Sequence, residues 1–202
     1  MKKINPFRPA QFVTSAAELR QLPADSGAEI AFAGRSNAGK SSALNAICDQ
    51  AALARTSKTP GRTQLLNVFA LDASRRLVDL PGYGYAKVPE AMRERWRGLI
   101  DKYLRERDSL RAVVLIMDSR HPLKEFDRQM LAYCRDIGLA CHCLLTKADK
   151  LSRSEATRTL AQTRKEILAL ESNATAQLFS ALAKSGLDEA RSILWSLLGE
   201  AA

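Results

Sequence analysis

Short apolar runs alternate with longer amphipathic stretches along the chain, and four of the six runs end in glycine, proline or a carboxylate. Runs at residues 29–33, 65–71, 76–80, 112–118, 140–146 and 176–179 read as strands. Stretches at 40–50, 91–107, 123–137, 153–168 and 186–198 carry apolar residues at helical spacing. Strand-helix alternation of this kind predicts an α/β fold in three layers, a mostly parallel six-stranded sheet with helices on both faces. Asp72-Ala73-Ser74-Arg75 between two of the strands reads as a tight antiparallel turn, which puts one antiparallel strand at the sheet edge. In the helix at 91–107, Trp96, Leu99, Ile100, Tyr103 and Leu104 form a core face. Residues 1–27 precede the first core strand. They are expected to form an extension packed on a single domain, 28–202, with a short helix around 16–21.

The most informative stretch follows the first of these strands. Gly34-Arg35-Ser36-Asn37-Ala38-Gly39-Lys40-Ser41-Ser42 has the G-x-x-x-x-G-K-S pattern between a strand and a helix, the signature of a phosphate-binding loop. Its glycines let successive N–H groups turn toward phosphate oxygens, and the helix start adds unpaired N–H groups and the positive end of its dipole. Lys40 supplies a point charge for the β- and γ-phosphates, and the Ser41 hydroxyl is a ligand for Mg²⁺. A plain glycine turn is the alternative, and the added Lys-Ser in this context argues against it.

A phosphate loop does not choose between adenine and guanine, or between a kinase, an ATPase and a switch. Asp79-Leu80-Pro81-Gly82 closes another apolar strand, where an acid can join the Mg²⁺ shell and the Gly82 N–H can sense a γ-phosphate; a strand merely ending in a Pro-Gly turn is the less favoured alternative. Thr146-Lys147-Ala148-Asp149 closes a third. The Asp149 carboxylate can accept from N1–H and the exocyclic amine of guanine while the stem of Lys147 covers the ring. Adenine lacks those donors and would leave the carboxylate unpaired.

At 202 residues, with 46% hydrophobic content, the chain has room for one real core. No run approaches the roughly 20 apolar residues of a membrane span, and 4–9 make no signal-peptide core, so a cytoplasmic protein without membrane contact is expected. Cys141-His142-Cys143 lies in a strand-like run, whose alternation places both thiols on one face and His142 on the other. With no second cysteine pair at zinc spacing, these and Cys48 and Cys134 are assigned neither metal nor disulfide. A net charge of +9 points to an anionic partner larger than a nucleotide. Arg55, Lys58 and Arg62 lie in an acid-free stretch that leans toward nucleic acid. The mixed cluster from Lys87 to Arg111 fits a solvated helix with pairs such as Glu90–Arg93 and Glu94–Arg97 or a nucleic-acid surface equally well.

With these motifs in place, the chain resembles the EngB (YihA/YsxC) family of bacterial ribosome-assembly GTPases, within the translation-factor-related class of P-loop GTPases. The resemblance covers nearly the whole chain from about Phe12. It rests on the phosphate loop, on Thr56-Ser57-Lys58-Thr59-Pro60-Gly61-Arg62-Thr63-Gln64, on Asp79-Leu80-Pro81-Gly82-Tyr83-Gly84-Tyr85-Ala86, on Thr146-Lys147-Ala148-Asp149 and on Phe179-Ser180-Ala181.

What the resemblance implies is a P-loop GTPase fold that takes GTP and GDP with Mg²⁺ and hydrolyses GTP. It further implies a monomer that acts as a switch on rRNA or a precursor of the large ribosomal subunit, with a role in cell division and septation. Nucleotide contacts would run along Gly34–Ser42, Gly61-Arg62-Thr63-Gln64-Leu65, Asp79–Gly82, Thr146–Asp149 and Phe179-Ser180-Ala181. Ser41, Thr63 and Asp79 would serve the metal, and Lys40, Thr63 and Gly82 the reaction. Thr63 would close on Mg²⁺ and γ-phosphate only in the triphosphate state, and Ser180-Ala181 would offer backbone N–H groups to the guanine carbonyl. Tyr83 stands where Ras-like enzymes carry a water-orienting glutamine, which implies slow hydrolysis by the protein alone. Asn37 matches an asparagine that related GTPases use to hold K⁺. A small-molecule kinase and a basic RNA-binding module with a structural nucleotide are the rival readings.

Overall fold

The computed structural model describes residues 4–54, 65–82 and 90–199, with 90–97 described by backbone alone. Its strands are β1 (Gln11–Ala16), β2 (Ala28–Gly34), β3 (Leu66–Ala70), β4 (Arg75–Asp79), β5 (Leu110–Asp118), β6 (Ala140–Thr146) and β7 (Thr175–Leu178). Its helices are α1 (Lys40–Cys48), α2 (Glu90–Glu106), α3 (Glu125–Asp136), α4 (Arg153–Ala169) and α5 (Leu187–Leu198). The strands form one sheet in the order β1-β3-β4-β2-β5-β6-β7, in which β3 runs antiparallel to both neighbours and the other pairings are parallel.

Burial on both faces explains why the parallel strands read as continuous apolar runs. Every residue of β2 is buried. Residues such as Ile30, Phe32, Val114 and Leu144 point to the face covered by α1 and α5, where Leu44, Ile47 and Leu194 meet them. Ala31, Ala33, Val113, Leu115 and Leu145 point to the other face and pack with Tyr103 of α2, Leu131 of α3 and Ile167 of α4. Each large side chain removed from water in these layers contributes on the order of 1.5–3 kcal/mol. The alternation expected of Cys141-His142-Cys143 is present. Both thiols lie in the second layer, and the His142 ring is hydrogen-bonded on the opposite side to Thr175 and Gln177.

Asp72 makes the predicted turn between β3 and β4. Its Oδ1 accepts from the N–H groups of Ser74 (2.9 Å) and Arg75 (2.8 Å), a short-range bond that fixes the reversal. Two expectations need correction. The sheet has seven strands, because β1 adds to the antiparallel edge beyond β3. Where a helix was expected around 16–21, the chain forms the end of β1 and then one 3-10 turn, Leu19–Gln21, whose Gln21 Oε1 accepts from Ala17 and Glu18 N–H. Strand β1 exposes Phe12 and Val13 and shifts register between Phe12 and Thr14, so it has no clean apolar alternation to read. Ahead of it, Phe7 is buried edge-on to Trp195, and Asn5 donates to the Ile47 carbonyl.

At the strand ends opposite the phosphate loop, Glu29 is buried beneath a network of cations. Arg107 donates to Glu29 Oε1 at 2.7 Å and Oε2 at 3.1 Å, Arg76 to Oε1 at 2.8 Å, and the Tyr103 hydroxyl to Oε2 at 3.0 Å. Arg107 therefore leaves the surface cluster in which the sequence placed it. Elsewhere in that cluster, Arg105 pairs with Asp101 and lies over the Tyr133 ring. No helix among the described residues is long and apolar enough to cross a membrane.

Candidate functional site

The strands β2 and β5 lie side by side, yet the helices that follow them, α1 and α3, pack on opposite faces. Sheets of this kind bind ligands in the crevice at the carboxyl ends of such a strand pair. The phosphate-loop sequence stands there. Gly34 ends β2, pairs with Ile116, and leaves so little room that a Cβ would lie 2.8 Å from the Ile116 carbonyl oxygen. Ala38 N–H returns to the Arg35 carbonyl at 3.1 Å, and Gly39, at φ +96, turns the chain into α1 through a conformation that a side chain would strain. Lys40 and Ser41 are the first residues of the helix, with Ser41 half-buried and Ser42 exposed.

Strand β4 runs parallel to β2 in a register that sets Asp79 beside Phe32, and Leu80 N–H donates to the Phe32 carbonyl at 3.0 Å. That register brings the Asp79 carboxylate onto the Lys40 ammonium, with side-chain exposures of 9% and 11%. Such a sheltered pair keeps both charges compensated while leaving each able to exchange its partner. Pro81 is buried, and Gly82 lies against the phosphate loop, where a Cβ on it would be in ordinary contact with Gly34 O and Ser36 N at 3.6 Å. Ser41 and Asp79 offer hard oxygen ligands of the type Mg²⁺ takes. Thr63, with Gly61, Arg62 and Gln64, lies outside the described residues, as do Arg55, Lys58, Tyr83, Lys87 and the side chains of Glu90, Arg93, Glu94, Trp96 and Arg97. Leu65, the next residue after that gap, is half-buried at the entry to β3.

Strand β6 delivers the other motif. The Thr146 hydroxyl donates to the Ala38 carbonyl and lies 3.0 Å from the Met117 carbonyl. Lys147, at φ +57, reaches back so that its Nζ donates to the Asn37 carbonyl at 2.7 Å and to Asp118 Oδ2 at 2.8 Å. The Thr146–Asp149 segment and the phosphate loop are thus bonded to one another. Ala148 N–H donates to the carbonyl of the buried Phe179 at 3.2 Å, and the Ser180 hydroxyl donates to Asp149 Oδ1. This bond is the leading reason that the Asp149 carboxyl is held below the usual carboxylate range.

Two findings differ from the sequence reading. Ser180 N–H is already used on the Ser185 carbonyl at 3.0 Å, so of the expected pair of amides only that of Ala181 is without a bond among the described residues. The contribution of Ser180 is instead its hydroxyl, which holds Asp149. Sequence reasoning also passed over Asp118, which ends β5 and ties Lys147 to Arg120, the latter through bonds of 2.9 and 2.6 Å. Its signal was an acid closing a buried apolar strand at the same end of the sheet as Gly34, Asp79 and Thr146.

A family model described as "50S ribosome-binding GTPase" matches residues 29–147. A protein of Aromatoleum aromaticum named "Probable GTP-binding protein EngB" is 58% identical over 183 residues, spanning 91% of this chain and 85% of the relative. One of the same name from Stenotrophomonas maltophilia is 56% identical over 191 residues, spanning 94% and 96%. Among solved structures, the crystal structure of a probable GTP-binding protein engB shares the fold, with a TM-score of 0.66 at 21% identity over 85% of this chain and 98% of that one. Over most of its length, and through the residues that build this crevice, the chain belongs to the EngB family of P-loop GTPases.

Proposed function

We propose that the protein binds GTP and GDP with Mg²⁺, hydrolyses GTP, and uses the difference between the two states to engage and leave a precursor of the large ribosomal subunit. It would do so as a cytoplasmic monomer with one nucleotide-binding domain, 28–202, and an extension, 1–27. The observation that carries the reading is the bonding of Thr146 and Lys147 to the carbonyls of Ala38 and Asn37, which joins a base-reading carboxylate and a phosphate loop into a single site.

In this site the N–H groups of residues 35–37, 39 and 40 cradle the phosphates, and Lys40 and Asp79 would exchange each other for phosphate and Mg²⁺, so neither would be left as a lone sheltered charge. Mg²⁺, when bound, offsets charge between the β- and γ-phosphates. Ser41, Asp79 and, in the triphosphate state, Thr63 would hold it. Asp149 accepts from the guanine edge, the stem of Lys147 covers the ring, and Ala181 donates to the base carbonyl. Gly82 and Thr63 report the γ-phosphate and relax when it is lost. Tyr83 in place of a water-orienting glutamine leaves hydrolysis slow without a partner. Asn37 would hold K⁺, whose charge would offset that developing on the phosphates; equal turnover in Na⁺ and K⁺ buffers, with and without the partner, removes that role. The family description supports the ribosomal partner, and the +9 charge is in keeping with it. A role in cell division would follow from failed subunit assembly.

Sedimentation with large ribosomal subunits at graded salt tests this function. Co-sedimentation is expected with a GTP analogue and not with GDP, and Thr63→Ala is expected to abolish the difference while sparing GDP affinity. Equal association in both states would mark a passive RNA-binding module, and unchanged behaviour of Thr63→Ala would refute the switch-loop assignment.

A further inference from the structure

A cavity of about 340 Å³ opens beside the phosphate loop, on the side walled by the segment between β5 and α3. Its walls carry Arg35, Arg120, Lys124 and Lys147, with Asp118 the one acid among its lining residues. Asp118 gives this cavity a particular property. Its carboxylate is shared, with Lys147 Nζ at 2.8 Å on one side and the planar fork of Arg120 at 2.9 and 2.6 Å on the other. Lys147 is buried to about two-thirds, while Arg120 is 45% exposed at the rim and Lys124 is exposed beside it. The inner cation therefore serves the nucleotide site and the outer ones face solvent. A guanidinium already presenting a bidentate face to a carboxylate presents the same geometry to a phosphate.

On the reading that the protein docks on ribosomal RNA, we infer that this cavity seats a backbone phosphate of that RNA on Arg120 and Lys124, and that Asp118 couples the contact to Lys147 and so to bound nucleotide. RNA fits better than an acidic protein segment for reasons of charge and shape. The chain carries +9, and the cavity admits a tetrahedral phosphate at its rim without requiring an extended apolar surface. A phosphate that draws on Arg120 leaves the Asp118 carboxylate to Lys147, which tightens the bridge from β5 to the phosphate loop. Reciprocity then requires bound nucleotide to change RNA affinity by the same factor as RNA changes nucleotide affinity.

The test measures binding of a labelled RNA hairpin, with bulk large-subunit rRNA as competitor, to wild type, Lys124→Glu, Arg120→Gln and the control Lys165→Glu on the exposed face of α4. Lys124→Glu and Arg120→Gln are each expected to weaken RNA binding about 5- to 10-fold. The slope of log affinity against log salt should shrink by about 0.7–0.9 for each phosphate that a variant no longer neutralises. Lys165→Glu should leave affinity within about 2-fold, and Lys124→Glu should leave GTP affinity unchanged. Saturating RNA should shift the nucleotide affinity of wild type and leave that of Arg120→Gln unshifted. RNA affinity and salt slope equal to wild type in both variants, or equal loss in Lys165→Glu, would overturn the inference while selective GTP binding left the nucleotide site standing. Absence of RNA binding by wild type itself would overturn it together with the RNA-docking reading. Inorganic phosphate displacing nothing below about 10 mM is expected of a site that recognises phosphate as part of a chain; displacement at micromolar phosphate would make it a free-anion site instead.

Discussion

Asp149→Asn will bind GTP at least about 100-fold more weakly than wild type and will gain affinity for xanthosine triphosphate. The carboxylate stands at the end of the β6 motif with one oxygen held by the Ser180 hydroxyl, and that bond holds its titration below the usual carboxylate range. A carboxylate has about four acceptor positions, so it can accept from Ser180 and still take both donors of the guanine edge. Charge-assisted hydrogen bonds contribute on the order of 1.5–3 kcal/mol each, and the amide introduced by Asp149→Asn would turn an N–H₂ toward an N–H donor. Two such losses correspond to roughly a hundredfold or more in dissociation constant. Xanthine carries a carbonyl where guanine carries the amine, which the amide can satisfy. Equilibrium binding of fluorescent GTP, GDP and XTP analogues checks this, and an unchanged preference for GTP would show that Asp149 does not read the base.

Glu29→Gln is expected to lower the unfolding free energy by about 3–5 kcal/mol, the usual effect of removing one partner from a buried ion pair. The side chain is 1% exposed and meets Arg76, Arg107 and Tyr103. Neutralising it takes the facing carboxylate from Arg76 and leaves Arg107 with the partly exposed Asp25 at 3.4 Å and the backbone carbonyls of Pro23 and Ala24. Burial by itself pushes the Glu29 carboxyl up, and the bonds and charges of Arg107 and then Arg76 outweigh it, so the carboxyl titrates below its ordinary value of 4.5. The unfolded chain takes up this proton first as acid is added. The network's contribution is therefore complete above about pH 4.5 and drains away as the pH falls through the lower folded value. Urea melts at neutral pH should show the loss, and between neutral pH and pH 3 Glu29→Gln should lack the acid-dependent component of the wild type. A loss under about 1 kcal/mol, or parallel acid profiles, would contradict the role given to this network.

The contrast between these two sites explains what the sequence could and could not reveal. Asp149 belongs to a local string, and its neighbours in sequence are its neighbours in function. The parallel strands were legible for a similar reason, since burial on both faces leaves unbroken runs such as 112–118. Glu29 lies near the start of β2 and Arg107 just past the end of the charged helix α2. Each looks solvated in isolation, and their bond spans 78 positions. Strand β1 stayed hidden because its pairing with β3 rests on backbone bonds at an edge, where Phe12 and Val13 remain exposed and only Ala16 is buried. Asp118 shows the intermediate case. Its place at the end of β5 could be read, while its sharing between Lys147 and Arg120 depends on a φ of +57 at Lys147 that no pattern of residue types announces.

The central claim is a site selective for guanine nucleotides, built by joining the phosphate loop to the segment that carries Asp149. Isothermal titration calorimetry with GTP and ATP in Mg²⁺ buffer tests it most directly. GTP is expected to bind with one-to-one stoichiometry, at least about 100-fold more tightly than ATP, as follows from the donors that adenine lacks. Equal binding of the two, or binding of neither, would contradict it.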